Sequence, residues 1–188
     1  MTIPASESTG IAAATGTWVI DPTHTTIGFS VRHAMIAKVR GRFGEFEGSF
    51  TIDGANPAAS SAQVTIAAAS IDTQNPDRDG HLKSPDFLDV EAYPTITFTS
   101  TSASVQGAQA TITGDLTIHG VTRPVTVEYE YIGTSQDPWG NTRIGFEGSA
   151  KISRKEFGLT WNAALETGGV LVGDDITFVL DVEAVKQA

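Results

Sequence analysis

Apolar and polar side chains alternate at period two through most of this chain. Ile27, Phe29, Val31 and His33 alternate with Gly28, Ser30 and Arg32, and Ile96 and Phe98 with Thr95, Thr97 and Thr99. Ile112, Gly114, Leu116 and Ile118 share one face, while Thr111, Thr113, Asp115 and Thr117 share the other. The rhythm returns in Val125, Val127, Tyr129 and Tyr131, in Ile144 to Ile152, and in Ile176 to Ala184. One apolar and one polar face at this period predict antiparallel strands wetted on one side. Between residues 39 and 52 the apolar positions change parity, from Val39 and Phe43 to Phe46, Phe50 and Ile52. A bulge at Gly44 would turn the strand there. The pattern yields roughly eight strands, several longer than usual, which favours an all-β, closed antiparallel barrel over a flat open sheet.

The turn signals agree. His119-Gly120 fits a two-residue hairpin loop, and Asp137-Pro138-Trp139-Gly140 a type I turn. Pro124 lacks a ladder donor and belongs at a strand end, an edge or a bulge. One segment breaks the alternation: Asn75-Pro-Asp-Arg-Asp-Gly-His-Leu-Lys-Ser-Pro-Asp-Phe-Leu-Asp89. Asn75 before Pro76 and Ser84 before Pro85 each combine a cap with proline at a first helical position, predicting two short helices. Such an insertion among strands would close or decorate an end.

A chain of 188 residues suits one substantial domain. Met1 to Gly16 hold no Lys or Arg and no continuous apolar run. They read as a disordered lead-in, with residues 17–188 as the domain; a secretory signal would need a basic start and an apolar core. Cytoplasmic residence is expected for the chain as given, and export if a leader was removed. No apolar run reaches ~18 residues, so no membrane-spanning helix is expected. A net charge of −10 disfavours a nucleic-acid backbone or an anionic membrane surface as the main partner. A homodimer is compatible with these residues. The absence of cysteine excludes disulfides, thiolate metal sites and cysteine nucleophiles.

The inward face combines Phe29, Phe43, Phe46, Phe50, Phe98, Phe146 and Phe178 with Gly114, Gly148, Ala68 and Ala150. A barrel of this size either fills its interior with side chains or leaves room for one small ligand. The pattern is compatible with both.

Chemical motifs are sparse. His24, His33, His81 and His119 form no i, i+2 or i, i+4 pair, so a metal site would need distant segments, and none is assigned. Ser84, Ser153, His81 and Asp86 contain the ingredients of a hydrolytic triad without a Gly-X-Ser-X-Gly elbow. Asp174-Asp175, Asp86 and Asp89 read as turn and helix-start residues. No phosphate loop or dinucleotide fingerprint is present. No catalytic residue is assigned, and no enzyme is expected. Arg78-Asp79 and Arg154 have two readings: structural ion pairing, or arginines at a barrel rim.

In order along the chain, a set of motifs resembles the YceI-like family. They are Trp18-Val-Ile-Asp-Pro-Thr-His24, Ile27-Gly-Phe-Ser-Val-Arg-His33, Val39-Arg-Gly-Arg-Phe-Gly-Glu-Phe-Glu-Gly48, Arg78-Asp-Gly-His-Leu82 and Asp86-Phe-Leu-Asp-Val90. Tyr93-Pro-Thr-Ile-Thr-Phe98, Gly114-Asp-Leu-Thr-Ile-His-Gly120, Gly145-Phe146, Ser153-Arg-Lys-Glu-Phe-Gly158 and Val172-Gly-Asp-Asp-Ile176 continue the match. The resemblance implies a lipocalin-like eight-stranded barrel, one end closed by short helical insertions, with a long isoprenoid or related lipid in its lumen. It requires no cofactor beyond that lipid, of polyprenyl phosphate or isoprenoid quinone type. Lumen candidates are then Phe29, Val31, Phe43, Phe46, Phe50, Phe98, Gly114, Leu116, Phe146, Gly148 and Phe178. Mouth or plug candidates are His33, Arg78, Asp79, His81 and Arg154. The competing expectations are a structural or stress-related module with a filled core, and a hydrolase acting on a lipid-like substrate.

Overall fold

The structure is a computed structural model and describes residues 10–188. Its strand segments are β1 (Gly16–Ile20), β2 (Thr26–His33), β3 (Ala37–Phe43), β4 (Phe46–Ile52), β5 (Ser61–Ala67) and β6 (Ile71–Asp72). After helix α1 (Pro76–Lys83) come β7 (Thr95–Gln106), β8 (Gln109–Ile118), β9 (Val121–Gln136), β10 (Thr142–Ser153) and β11 (Val172–Lys186). Hydrogen bonding runs β1-β4-β5-β7-β8-β9-β10-β11 and returns to β1, closing an antiparallel barrel of 8 strands. The remaining segments continue three of these strands past local breaks. β2 pairs with β11 beside β1, β3 pairs with β2 beside β4, and β6 pairs with β3.

The expected parity change lies at the β3–β4 break. Phe43 pairs with Ile27 and Ile71, whereas Phe46 pairs with Ile66. Between them Gly44 N–H donates to Ser70 C=O at 3.1 Å, so the displaced backbone remains satisfied. Three further irregularities were not legible in the alternation. β7 slips between Ser100 and Ser102, β9–β10 slips at Gly145/Phe146, and β11–β2 slips between Val172 and Ile176. The second leaves Ile132 without a partner opposite and turns it to solvent.

His119 (φ 54) and Gly120 (φ 71) form the β8–β9 hairpin, both left-handed as a type I′ loop requires. Gly140 N–H closes the β9–β10 turn onto Asp137 C=O at 3.1 Å. Pro124 pairs opposite Asp115 on β8, on a stretch of β9 that the β10 ladder, ending at Glu128, does not reach. Its missing donor is therefore tolerated at a free edge.

Of the two predicted helices, one forms. Asn75 Oδ1 accepts from Arg78 N–H at 3.0 Å with Pro76 in the first turn, as its sequence indicates. The segment after Ser84 is instead a run of turns. Leu88 N–H donates back to Leu82 C=O and Val90 N–H to Lys83 C=O, and Asp89 adopts φ 48. Those bonds fold Phe87 and Leu88 inward, and so short a segment gains too little from helical bonds to resist.

The expected lead-in of residues 1–16 divides. Residues 1–9 lie outside the described residues. Ile11–Ala14, by contrast, form a 3-10 turn with Ile11 and Ala14 buried. Ala14 C=O accepts from Trp18 Nε1–H at 3.0 Å, anchoring the turn to β1. These residues seal one barrel end with Trp18, Ile52, Ala110, Ile144 and Ala184. The opposite end is sealed by Leu82, Leu88, Phe157 and Leu159 from the α1 region and the β10–β11 connection.

Between β1 and β2 the chain bends at Asp21-Pro22-Thr23-His24, and Arg143 of β10 clamps the bend. Its guanidinium donates to Asp21 (2.8 Å), Asp137 (2.8 Å) and Glu183 (2.7 Å). His24 Nδ1 lies 2.8 Å from Asp21 Oδ2. Bonds from Thr23, His24 and Arg143 hold the Asp21 carboxyl well below the usual carboxylate range, and Arg143 does the same to Asp137. Asp21, then Glu183, raise the His24 pKa above its ordinary value. Depressed carboxyl pKa values give stability that is present above roughly pH 4 and lost as pH falls further. The raised His24 contributes below about pH 6.5 and loses that contribution as pH rises through its folded pKa. Melting temperature measured from pH 2 to 9 should therefore fall on the acid limb and slip slightly on the alkaline limb. In Arg143→Gln the acid limb should flatten, because the Asp21 and Asp137 shifts shrink.

Candidate functional site

Within the ring, the inward side chains do not meet. They enclose an almost wholly apolar lumen with about 170 Å³ in which the centre of a water-sized sphere can sit. This lies inside about 1300 Å³ free of protein atoms, part of it open to solvent. Phe50, Phe98, Phe146 and Phe178 are only partly buried although they point inward, because one side of each ring faces this space. Of the two outcomes the alternation allowed, the structure has the cavity.

Six sequence candidates line it: Phe43, Phe50, Phe98, Leu116, Phe146 and Phe178. Five do not. Phe46 packs, partly buried, on the core below, and Val31 sits between Val39 and Ile176 in the sheet. Phe29 lies across Gly41, its direct cross-strand partner, with its ring centroid 5.6 Å from that of Phe43. Gly114 and Gly148 do not line the lumen either, since Phe98 covers the first and Tyr129 the second. A Cβ at Gly148 would fall 2.5 Å from Tyr129 Cε1, so these glycines are seats for neighbouring rings.

Several lining residues escaped the sequence reading, among them Ile11, Ile20, Val64, Ile66, Val105 and Ala110. Val64 and Ile66 alternate with Gln63 and Thr65 and carry a legible strand signal. Val105 was hidden by the slip in β7, and Ile11 is an isolated apolar residue in a bland segment.

Among the described residues, no Lys, Arg, His, Asp or Glu lines the lumen. Its polar residues are hydroxyl-bearing: Thr25, Tyr129, and Ser49, Thr51, Ser60 and Ser61 where β4 leads into β5. Ser61 is exposed, placing this turn where the lumen approaches solvent. Burial pushes the Tyr129 phenol up to about 12, so it stays a neutral hydroxyl.

The mouth and plug candidates lie elsewhere. Arg78 donates to Thr73 Oγ1 (2.8 Å) and Thr73 C=O (2.9 Å), while the Asp79 carboxylate accepts from Thr73 N–H (2.9 Å) and its hydroxyl. Together they grip the buried Thr73 and fix α1 to the end of β6. His81 Nε2 lies 2.8 Å from Asp86 Oδ2, and its ring packs edge-on to Phe87 and Trp161. Ser84 Oγ donates to the His81 carbonyl rather than its ring, so these two residues form no Ser–His relay. Arg154 is buried and donates to the carbonyls of Gly173, Leu159, Trp161 and Val172, tying down the β10–β11 connection. Desolvation lowers its pKa, opposed by Asp174 at 3.9 Å. His33 is exposed at the end of β2, opposite Ala37. Asp21, His24 and Glu183 bring ligand-type atoms within 4.8 Å of one another, but the Arg143 guanidinium already stands between the two carboxylates.

Comparison with known proteins supports this geometry. A family described as YceI-like domain matches residues 18–184. Protein YceI of Escherichia coli O157:H7 is 43% identical over 164 residues, spanning 87% of this chain and 83% of its own. Among solved structures, Burkholderia cenocepacia BcnA superposes with a TM-score of 0.76 at 25% identity, covering 87% of this chain and 98% of its own. A polyisoprenoid binding domain from Saccharophagus degradans, at 15% identity, shares the fold with a TM-score of 0.64 over 90% of this chain and 98% of its own. With the family match spanning nearly all the described residues and a closed barrel around an apolar lumen, this chain belongs to the YceI-like family.

Proposed function

We propose that the protein binds one long-chain isoprenoid in its lumen and stores or carries it without chemical turnover. The observation that carries this reading is the lumen itself, closed to charge and open in volume. The polyisoprenoid-binding neighbour of the same fold supports the ligand class. Each buried methylene contributes ~0.8 kcal/mol, so about twenty carbons offer ~16 kcal/mol gross. Association and ordering cost roughly 4–15 kcal/mol, which leaves room for micromolar or tighter binding. A phosphate would find no cation in the lumen wall among the described residues. The hydroxyls near Ser60 and Ser61 suit a neutral head group of quinone or alcohol type, or a charged one left in solvent. Arg78 and Arg154 are occupied by backbone and by Thr73, so they support the closed end.

Titration with isoprenoid alcohols and quinones of C20 or longer should show saturable binding, and organic extracts of purified protein should contain such a chain. Absence of binding to every C20-or-longer isoprenoid and acyl chain would overturn the reading. Gly148→Leu should drive Tyr129 off its seat into the lumen. Binding should then weaken, while denaturant unfolding shows a cooperative fold destabilised by about 1–3 kcal/mol. In Arg78→Ala, loss of the Thr73 bonds should lower stability. Its affinities for a prenyl phosphate and a prenyl alcohol should change equally, since the guanidinium faces Thr73 and not the ligand.

A further inference from the structure

The β2–β3 hairpin carries a feature that lumen binding does not use. Its two-residue turn is Ala34 (φ 49) and Met35 (φ 65), closed by Ile36 N–H donating to His33 C=O at 3.1 Å. Left-handed backbone is unfavourable for residues with a side chain, and Asn-Gly is the usual occupant of such a turn. Here the turn presents Met35, 62% exposed, and Ile36, 83% exposed. The neighbouring loop adds Val170, 40% exposed, and is held against the hairpin by Ala34 N–H donating to Leu171 C=O at 2.8 Å. Three apolar side chains thus form one projecting tip.

Behind the tip is a basic collar. Residues 32–42 hold four of the chain's 12 Lys and Arg and no Asp or Glu. Ile27 and Phe43 face inward as a pair, so the alternate positions Arg32, Lys38, Arg40 and Arg42 face outward. Arg32 sits directly opposite Lys38, a like-charge pair that disfavours the hairpin on its own. Arg42 has Asp72 at 3.8 Å, whereas Arg32, Lys38 and Arg40 have no carboxylate within 4 Å among the described residues. The nearby Asp174 and Asp175 are engaged by Lys155 (3.3 Å) and Lys151 (2.8 Å). An outward acidic row, Glu130–Glu147–Asp181, crosses the barrel level with Thr26. Thr26 is six residues up β2 from Arg32, so the row stands back from the collar by ~20 Å. That row is therefore set back from the hairpin tip, where the nearby carboxylates are Asp174, Asp175 and the exposed Glu166 of the adjoining loop.

The geometry points to the β2–β3 hairpin as a membrane-docking element that inserts Met35 and Ile36 into the interfacial region of an anionic bilayer, with Arg32, Lys38 and Arg40 on the lipid head groups. An apolar tip backed by unpaired cations matches what such a surface offers: acyl chains below and negative charge above. A purely electrostatic protein partner would leave the three apolar side chains unexplained. Docking stands on the hairpin alone and does not depend on what the lumen holds.

Flotation of the full chain with phosphatidylglycerol/phosphatidylcholine vesicles, at low and at 0.5 M salt, tests the assignment. Binding should be strong at low salt, weak at high salt and absent on pure phosphatidylcholine. Arg32→Gln/Lys38→Gln/Arg40→Gln should weaken it roughly a hundredfold, at about one kcal/mol per cation. Met35→Ser/Ile36→Ser should weaken it about tenfold or more, while Trp139→Ser at the opposite barrel end leaves it unchanged. Circular dichroism and binding of a fluorescent acyl probe in solution show that each variant is folded with a working lumen. These controls separate a failure of docking from a failure of lumen binding. The proposal is overturned if the chain does not float with anionic vesicles, or if both hairpin variants float like the parent. It is also overturned if Trp139→Ser alone abolishes flotation, or if the basic residues instead drive salt-sensitive self-association on the acidic row.

Discussion

Everything in this molecule depends on β11 serving as the strand that closes the ring. It pairs along one side with β10 and along the other with β2 and then β1, so the first and last strands of the chain complete the barrel. Closure removes the exposed edges of an open sheet and fixes which face of each strand is interior. The bend between β1 and β2 lets one stretch of chain follow β11 along its whole length. Arg143 holds that bend by reaching Asp21 before it, Glu183 on β11 and Asp137 on the β9–β10 turn. Charged groups thus lie on the outside of the closure, where partial solvation reduces the penalty of bringing them together.

The lumen is a consequence of closure combined with where the large rings lie. Phe29 rests on Gly41, Phe98 on Gly114 and Tyr129 on Gly148, so each ring is laid along the wall instead of pointing to the barrel axis. Phe50 and Phe146, 5.8 Å apart and nearly perpendicular, extend the apolar lining toward the Trp18 end. The two ends are sealed differently: one by Trp18 and the Ile11 turn, the other by Phe157, Leu159 and the α1 region. Polar groups buried at the second end are bonded: Arg154 donates to neighbouring carbonyls, and Thr73 is held by the Arg78 and Asp79 side chains, which leaves His119 Nδ1 as the stranded side-chain atom among the described residues.

A cavity lined by carbon and hydroxyl groups selects by shape and apolar area, with little power to recognise a particular charged group. That character and the strongly directional surface charge divide two tasks between separate parts of the barrel. The interior is suited to holding an apolar chain. The outer surface, acidic at mid-height and basic near the β2–β3 turn, sets how the molecule meets its surroundings.

Period-two alternation determined the fold class, the inward face of most strands, the bulge at Gly44, the hairpin at His119-Gly120 and the first cap of α1. These signals are local: side-chain parity along a strand, and cap or turn chemistry within four residues. Tertiary structure decided the rest. Whether the Phe rings fill the interior or line a cavity depends on their tilt, which is set by the glycines opposite them, on other strands. Phe29 and Phe46 share the parity of the lining residues yet leave the lumen, because parity gives a face and not a height along the barrel. Arg78 and Arg154 had two roles open in sequence, since a guanidinium's partner is a matter of what folds beside it. Thr73 and the carbonyls of residues 159–173 settled their geometry. Ile11 and Ala14, in a segment with no periodic signal, became part of the core because closure leaves an open end that the segment preceding β1 covers.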